Sequence, residues 1–220
     1  MKVLIDLTSL ADNFSGIERF ALSITKELIT DQSRSDIEFI LVFKNEVHKE
    51  FAAEQHNVKK IIVRGKNKLV FNQLQLPLKL ATIKADYYFF PAFPAPFFFF
   101  NRNAISAIHD VGCWDCPSKN RKYMTLYFKI MYRKAALGHK NVVTVSQFSK
   151  NRISKILKKE PGEIAVIYDG LSDCFADFCY DNEQDMKAKG AYGLPEKYIL
   201  CLSTLEPRKN MRLLVEAFSE

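Results

Sequence analysis

At 220 residues, with 48% hydrophobic and 26% charged side chains, the sequence has a globular composition, long enough for one large domain or a domain plus part of another. Five cysteines leave one over in any disulfide scheme, and MKVLIDLTSL breaks its apolar run at Asp6, which excludes a signal-peptide start and predicts reduced thiols in a cytoplasmic protein. The formal charge of +7 and pI near 9.1 leave room for anionic partners.

Short apolar runs alternate with longer helical patterns. KVLIDL (2–7) predicts the first strand, and SLADNFSGIERF leads from it into a helix over 17–30. A glycine just before that helix, Gly16, lets a phosphate approach the helix-start amides, although an ordinary turn glycine reads the same way. Strands follow at 37–43 and 58–63, with helices at 46–55 and 67–84. DYYFF (86–90) predicts a strand and opens an aromatic stretch that runs to FFFF at 97–100; three prolines and its length exclude a membrane-spanning helix. It reads as a buried strand plus an aromatic loop on the sheet rim, with dipping into a membrane surface as the alternative.

A fifth strand, 103–108, ends at His109 and Asp110. An imidazole at a strand tip can donate to a substrate hydroxyl, and the carboxylate beside it can orient a loop or ligand. His48, His56 and His139 have no such position and are assigned no role. CWDC at 113–116 has no second pair at zinc spacing and no thioredoxin-like setting, so its cysteines read as loop thiols.

A helix is predicted over 118–138, a strand over 141–145, a helix over 147–159 capped by Ser146, and a strand over 163–168. From Lys119 to Lys159 there are twelve Lys and Arg and no Asp or Glu, Lys122, Arg133, Lys134 and Lys155 among them. Such a field suits an anionic membrane, nucleic acid or a phosphorylated substrate; a solvated face is the plain alternative. No recognition helix, aromatic RNA-binding strand or zinc finger accompanies it, which argues against nucleic acid.

The βαβ alternation predicts an α/β fold with a doubly wound parallel sheet over residues 1–170. Residues 171–196 read as a linker with one short helix. YILCLST and MRLLVEAFSE then predict one further strand and helix over 197–220, the start of a second α/β domain, joined by LEPRKN, whose Arg208 and Lys209 form a cationic pair suited to an anion.

Taken in order, SGIERFALSITKEL, ISAIHDV, VVTVSQFSKNRI, VIYDGLSDCF and YILCLSTLEPRKNMRLLVEAF resemble the N-terminal part of a GT-B glycosyltransferase of family 4, the retaining enzymes that include many bacterial mannosyl- and glucosyltransferases. The resemblance implies transfer of a hexose from a nucleotide sugar to a glycan or lipid-diphosphate acceptor, with no metal or other cofactor. It places Gly16, Arg208 and Lys209 at the donor phosphates, and His109 with Asp110 near the transferred sugar. Ser203 stands where the family often has Gly, and Asp169 where it commonly has Asn. The rest of a donor domain is not in the sequence, so the chain alone is expected to be inactive. The basic face would then meet an anionic membrane surface, with the protein cytoplasmic and peripheral. The alternatives are a noncatalytic basic membrane- or nucleic-acid-binding module, or half of a split enzyme.

Overall fold

The structure, a computed structural model, describes residues 1–11, 15–31, 33, 36–116, 122–171, 175, 181–204 and 209–219. The chain divides into two units, Met1–Gly170 and Leu171–Glu220.

The first unit is built on seven parallel strands: β1 (Lys2–Asp6), β2 (Glu38–Lys44), β3 (Val58–Val63), β4 (Tyr87–Phe90), β5 (Ala104–Ala107), β6 (Asn141–Thr144) and β7 (Ile164–Val166), in the order β3-β2-β1-β4-β5-β6-β7. The register runs Val3 to Phe39 on one side of β1 and Val3 to Tyr87 on the other. Strands β2 and β4 to β6 are apolar on both faces because helices cover both, as in a doubly wound sheet. Successive residues feed opposite cores. Ile5, Phe39 and Leu41 pack under α1 (Gly16–Thr30) with Phe20 and Ala21, while Leu4, Ile40 and Val42 pack with Phe71, Leu76 and Leu80. A third cluster joins Ile108, Val142 and Ile164 to α5 (Lys122–Gly138) and α6 (Gln147–Leu157) through Ala135, Ile153 and Leu157.

The rod predicted at 67–84 is three pieces: α2 (Lys68–Val70), a π turn (Phe71–Gln75) and α3 (Leu76–Ala81). Pro77 offers no N–H to the preceding turn, and the widened turn absorbs that loss. The helix expected at 46–55 shrinks to a single 3₁₀ turn, Lys49–Phe51. Lys60 Nζ donates to the carbonyls of Ala52 and Ala53, at 3.1 and 2.8 Å, which a continuing helix would have used for its own amides. A four-residue helix, α4 (Gly112–Asp115), follows β5.

In the second unit, Asp181 caps α7 (Asn182–Tyr192) by accepting from the Glu183 amide at 2.9 Å, and Gly193 ends it at φ +60°. The last element is α8 (Met211–Ser219). Residues 198–204, expected as a strand, carry no regular structure and are exposed. A lone extended segment has no ladder partner for its amides and carbonyls, and none of the described residues of this unit is buried.

Candidate active site

In a sheet of this order the chain leaves β1 toward one edge and β4 toward the other, opening a crevice at the carboxyl ends of β1 and β4. The residues around it come from the loops after β1, β4 and β5.

His109 follows β5, and its ring Nε2 lies 2.9 Å from the Pro91 carbonyl at the end of β4. A carbonyl only accepts, so Nε2 carries the proton. Burial lowers the pKa of the ring, against the opposing pull of the Pro91 hydrogen bond and of the Asp169 and Asp110 carboxylates, so the imidazole is neutral near pH 7. Nδ1 is then a lone-pair nitrogen. The site can accept from a sugar hydroxyl where the residue type alone suggested donation.

The ring packs edge-on against Phe20, centroids 5.0 Å apart. Phe20 stands one turn along α1 from Gly16, on the same face. His109 is thereby held against α1 through Phe20. Ser15 precedes that helix, with its own amide donating to the Glu18 carboxylate at 2.8 Å. The amides of Gly16 and Ile17 belong to the first helical turn, whose N–H groups have no acceptor within the helix itself. Gly16 has no left-handed φ, and among the described residues a Cβ there would meet nothing within 4 Å. Among the described residues, neither backbone conformation nor packing requires a glycine here.

Asp110 is exposed, and its Oδ1 accepts from the Gly112 amide at 2.8 Å, which turns the chain into α4. Its role in this geometry is loop orientation. Sequence reasoning missed Asp6, the last residue of β1. Its carboxylate accepts from the Thr8 amide at 3.0 Å, and burial raises its pKa above the usual carboxylate value despite the hydrogen bonds from Thr8. The available signal was a single acid closing an otherwise apolar run, KVLID.

No protein-family model matches the chain. It is 26% identical over 117 residues to an O-antigen chain mannosyltransferase B of Escherichia coli, a match that covers 52% of this chain and 30% of that protein. Over 78 residues it is 28% identical to a serotype-specific mannosyltransferase, WbdA, of Escherichia coli, covering 36% of this chain and 10% of that protein. The matched stretch is therefore under a third of either relative's length. Among solved structures it is similar to Anabaena Alr3699/HepE in complex with UDP-glucose, at TM-score 0.65 and 15% identity, over 99% of this chain and 57% of that one. A glycosyltransferase from Rickettsia africae gives TM-score 0.56 at 18% identity, over 99% and 56%. The fold is that of GT-B glycosyltransferases.

The remaining candidates of the sequence lie elsewhere. Arg208 is outside the described residues, and Lys209 is an exposed residue two positions before α8. The basic run does not form one solvated face. Lys122 and Arg133 are exposed on α5, and Lys155 is exposed in the last turn of α6. Lys134 is half-buried: its Nζ donates to the carbonyls of Pro96 and Phe99, at 2.8 and 2.6 Å, and burial pushes its pKa down to about 8. Arg152 pairs with Asp115, and Lys159 is buried with its Nζ donating to the His139 carbonyl at 2.7 Å. Burial also pushes the Cys113 thiol up to about 11, the reverse of the depressed value a reactive thiolate has.

Proposed function

We propose that the 220 residues supply the acceptor-side domain of a retaining hexosyltransferase, which moves mannose or glucose from a nucleotide diphosphate sugar to a lipid-linked or polysaccharide acceptor at an anionic membrane surface. The observation that carries this is His109 at the carboxyl edge of a doubly wound parallel sheet, oriented by the Pro91 carbonyl and packed on Phe20 of α1, the helix that Gly16 opens. The partial matches to mannosyltransferases support the same substrate class.

Each group has work of a definite kind. As the bond between sugar and phosphate breaks, charge grows on the leaving diphosphate, and preorganised amides at the start of α1 stabilise it where Gly16 leaves room. His109 Nδ1 accepts a sugar hydroxyl and fixes the ring of the transferred hexose, with its own orientation set by Pro91 and Phe20. Asp110 holds the β5–α4 turn through the Gly112 amide. Arg208 and Lys209 would add cationic charge at the diphosphate. None of the described residues of the second unit is buried, so it offers no packed scaffold for donor-binding groups, and the 220-residue chain alone should not turn over.

Two measurements test the reading. Isotope-labelled chain is titrated with nucleoside diphosphate mannose and glucose and with a lipid-diphosphate glycan; shifts at the Gly16 and Ile17 amides and the His109 ring are expected. The protein joined to its donor-binding partner is then assayed for transfer, with product anomers assigned by NMR. No perturbation at α1 by any of these ligands, or an inverted anomer, would overturn the assignment.

A further inference from the structure

Charge is segregated along this chain. Residues 55–159 hold twenty Lys and Arg against three acids, Asp86, Asp110 and Asp115, while the other residues carry more acids than bases. Within that basic half, α5 departs from the usual pattern of a surface helix, one apolar stripe inward and polar residues outward. Its inner side packs Met131, Ala135 and Ala136 into the domain, and Tyr132 stacks on Trp114. Its outer side is apolar too. Tyr123, Leu126, Ile130 and Leu137 recur at helical spacing on one stripe, 90, 57, 45 and 74% exposed. Arg133 interrupts the stripe, and the exposed Lys122 and half-buried Lys129 flank it; Lys129 and Arg133 reach along the helix edge over the Trp114 ring, at 5.7 and 5.8 Å from its centroid.

The stripe continues into the aromatic loop. Gln73, on the π turn, ties the two together: its Nε2 donates to the Tyr127 hydroxyl at 2.7 Å, and its Oε1 accepts from the Phe97 amide at 3.1 Å. Lys134 braces the loop from the α5 side through the Pro96 and Phe99 carbonyls, and its Nζ lies 4.6 Å from the centroid of Phe100. Phe98 and Phe100 project beyond this brace, 56 and 76% exposed, while Phe99 anchors the loop in the core against Tyr88 and Phe90. Single exposed apolar residues are ordinary; a contiguous set bordered by cations, on segments whose own sequence carries no Asp or Glu, is a recognition surface.

We propose that the outer stripe of α5 and the Phe97–Phe100 loop form one docking surface for an anionic lipid bilayer, the loop entering the headgroup region while Lys122, Lys129 and Arg133 meet lipid phosphates. This deepens the membrane-surface part of the proposed function and is independent of the transfer chemistry. The occupant follows from complementarity: aromatic and aliphatic tips with adjacent cations match the boundary between acyl chains and anionic headgroups. Lys134 supports the loop and is a brace, not a lipid contact, and Lys155 on α6 lies outside the surface.

The full chain is tested by co-sedimentation with phosphatidylcholine vesicles with and without about one-third phosphatidylglycerol, the anionic fraction that near-surface Lys and Arg respond to. Binding is expected on the anionic vesicles, weakened but not abolished by high salt. Ile130→Asp combined with Phe100→Asp should reduce it at least about tenfold, and Lys155→Glu much less. Because these positions are exposed, unchanged thermal unfolding shows that the variants fold. Phe100→Trp gives a direct reading: on anionic vesicles its emission moves to the blue and brominated acyl chains quench it. Equal binding by the double Asp variant, no quenching of the introduced Trp, or an apolar-stripe-dependent dimer in place of vesicle binding would each overturn the proposal. No binding of the parent chain to anionic vesicles, with transfer to a soluble acceptor present in the transfer-competent protein, would sink the surface alone; vesicle binding without transfer would sink the glycosyltransferase reading alone.

Discussion

Two histidines stand at opposite edges of the same sheet. His109 follows β5 at the carboxyl edge, and His139 precedes β6 at the amino edge. Burial lowers the pKa of both, that of His139 to about 4 with Lys134 and Lys159 adding to the effect. His139 is 3% exposed, its Nδ1 lies 3.1 Å from the Ser106 hydroxyl, and its backbone carbonyl takes the Lys159 ammonium. Among the described residues its Nε2 has no hydrogen-bond partner. His109 is half-buried, gives its one proton to the Pro91 carbonyl, and packs edge-on against Phe20 of α1, with Nδ1 left as the lone-pair nitrogen. A neutral imidazole is therefore no sign of function by itself. The distinction lies in whether a ligand can reach the nitrogen that the protein leaves unused.

The largest effect is expected at His109. In the transfer-competent protein, His109→Ala should lower kcat/KM about 100-fold, the scale for losing one preorganised polar contact to a transition state, with little change in melting temperature. His139→Ala should do the opposite: stability falls by about 2 kcal/mol through the cavity and the loss of the Ser106 hydroxyl's contact to the ring, its Oγ keeping the Ala95 amide, while activity per folded molecule holds. The pH dependence adds a sign. The pKa of His139 is lower in the folded state than in the unfolded one, so its contribution is complete above about pH 6.5 and is lost as pH falls toward 4. Denaturant titrations across that window should show a shallower decline for His139→Gln than for the parent chain.

Gly16→Ala sharpens the contrast at smaller scale. Since the position needs neither a left-handed backbone nor space within the protein, alanine should stabilise α1 by up to about 1 kcal/mol while weakening binding of nucleotide sugar. Equal stability and equal affinity would show that the glycine serves no ligand. The smallest effect is expected at Asp6. Its pKa is raised on folding, so the charged form is disfavoured in the native state and its stabilising share is lost as pH rises through the raised value. Asp6→Asn should raise the melting temperature at pH 7 and leave it nearly unchanged at pH 3.

Most of the sheet was legible because strands covered on both sides are apolar throughout, and IEFILVF and NVVTV show it without reference to partners. What escaped depended on long-range contacts. The 46–55 helix failed because Lys60, from β3, captures two carbonyls, and the 147–159 helix stops at Leu157 because Lys158 turns left-handed at φ +57° and Lys159 points inward. His109 was found from its place at a strand tip, but its tautomer depends on Pro91, eighteen residues earlier. The basic run looked uniform in sequence because spacing alone cannot separate the brace at Lys134 from the exposed Arg133 beside it.

The strand order also says when the site comes into being. Strand β1 joins β4 with Val3 opposite Tyr87, a larger separation along the chain than any other strand pairing in the sheet. Half-sheets β1–β3 and β4–β7 can each assemble from nearer neighbours, whereas the seam between them closes the largest loop and bears the greatest entropic cost. The crevice lies on that seam. A chain with all its helices and five of its six strand pairings in place, but the seam unzipped, would keep most of its secondary structure and hold no site at all.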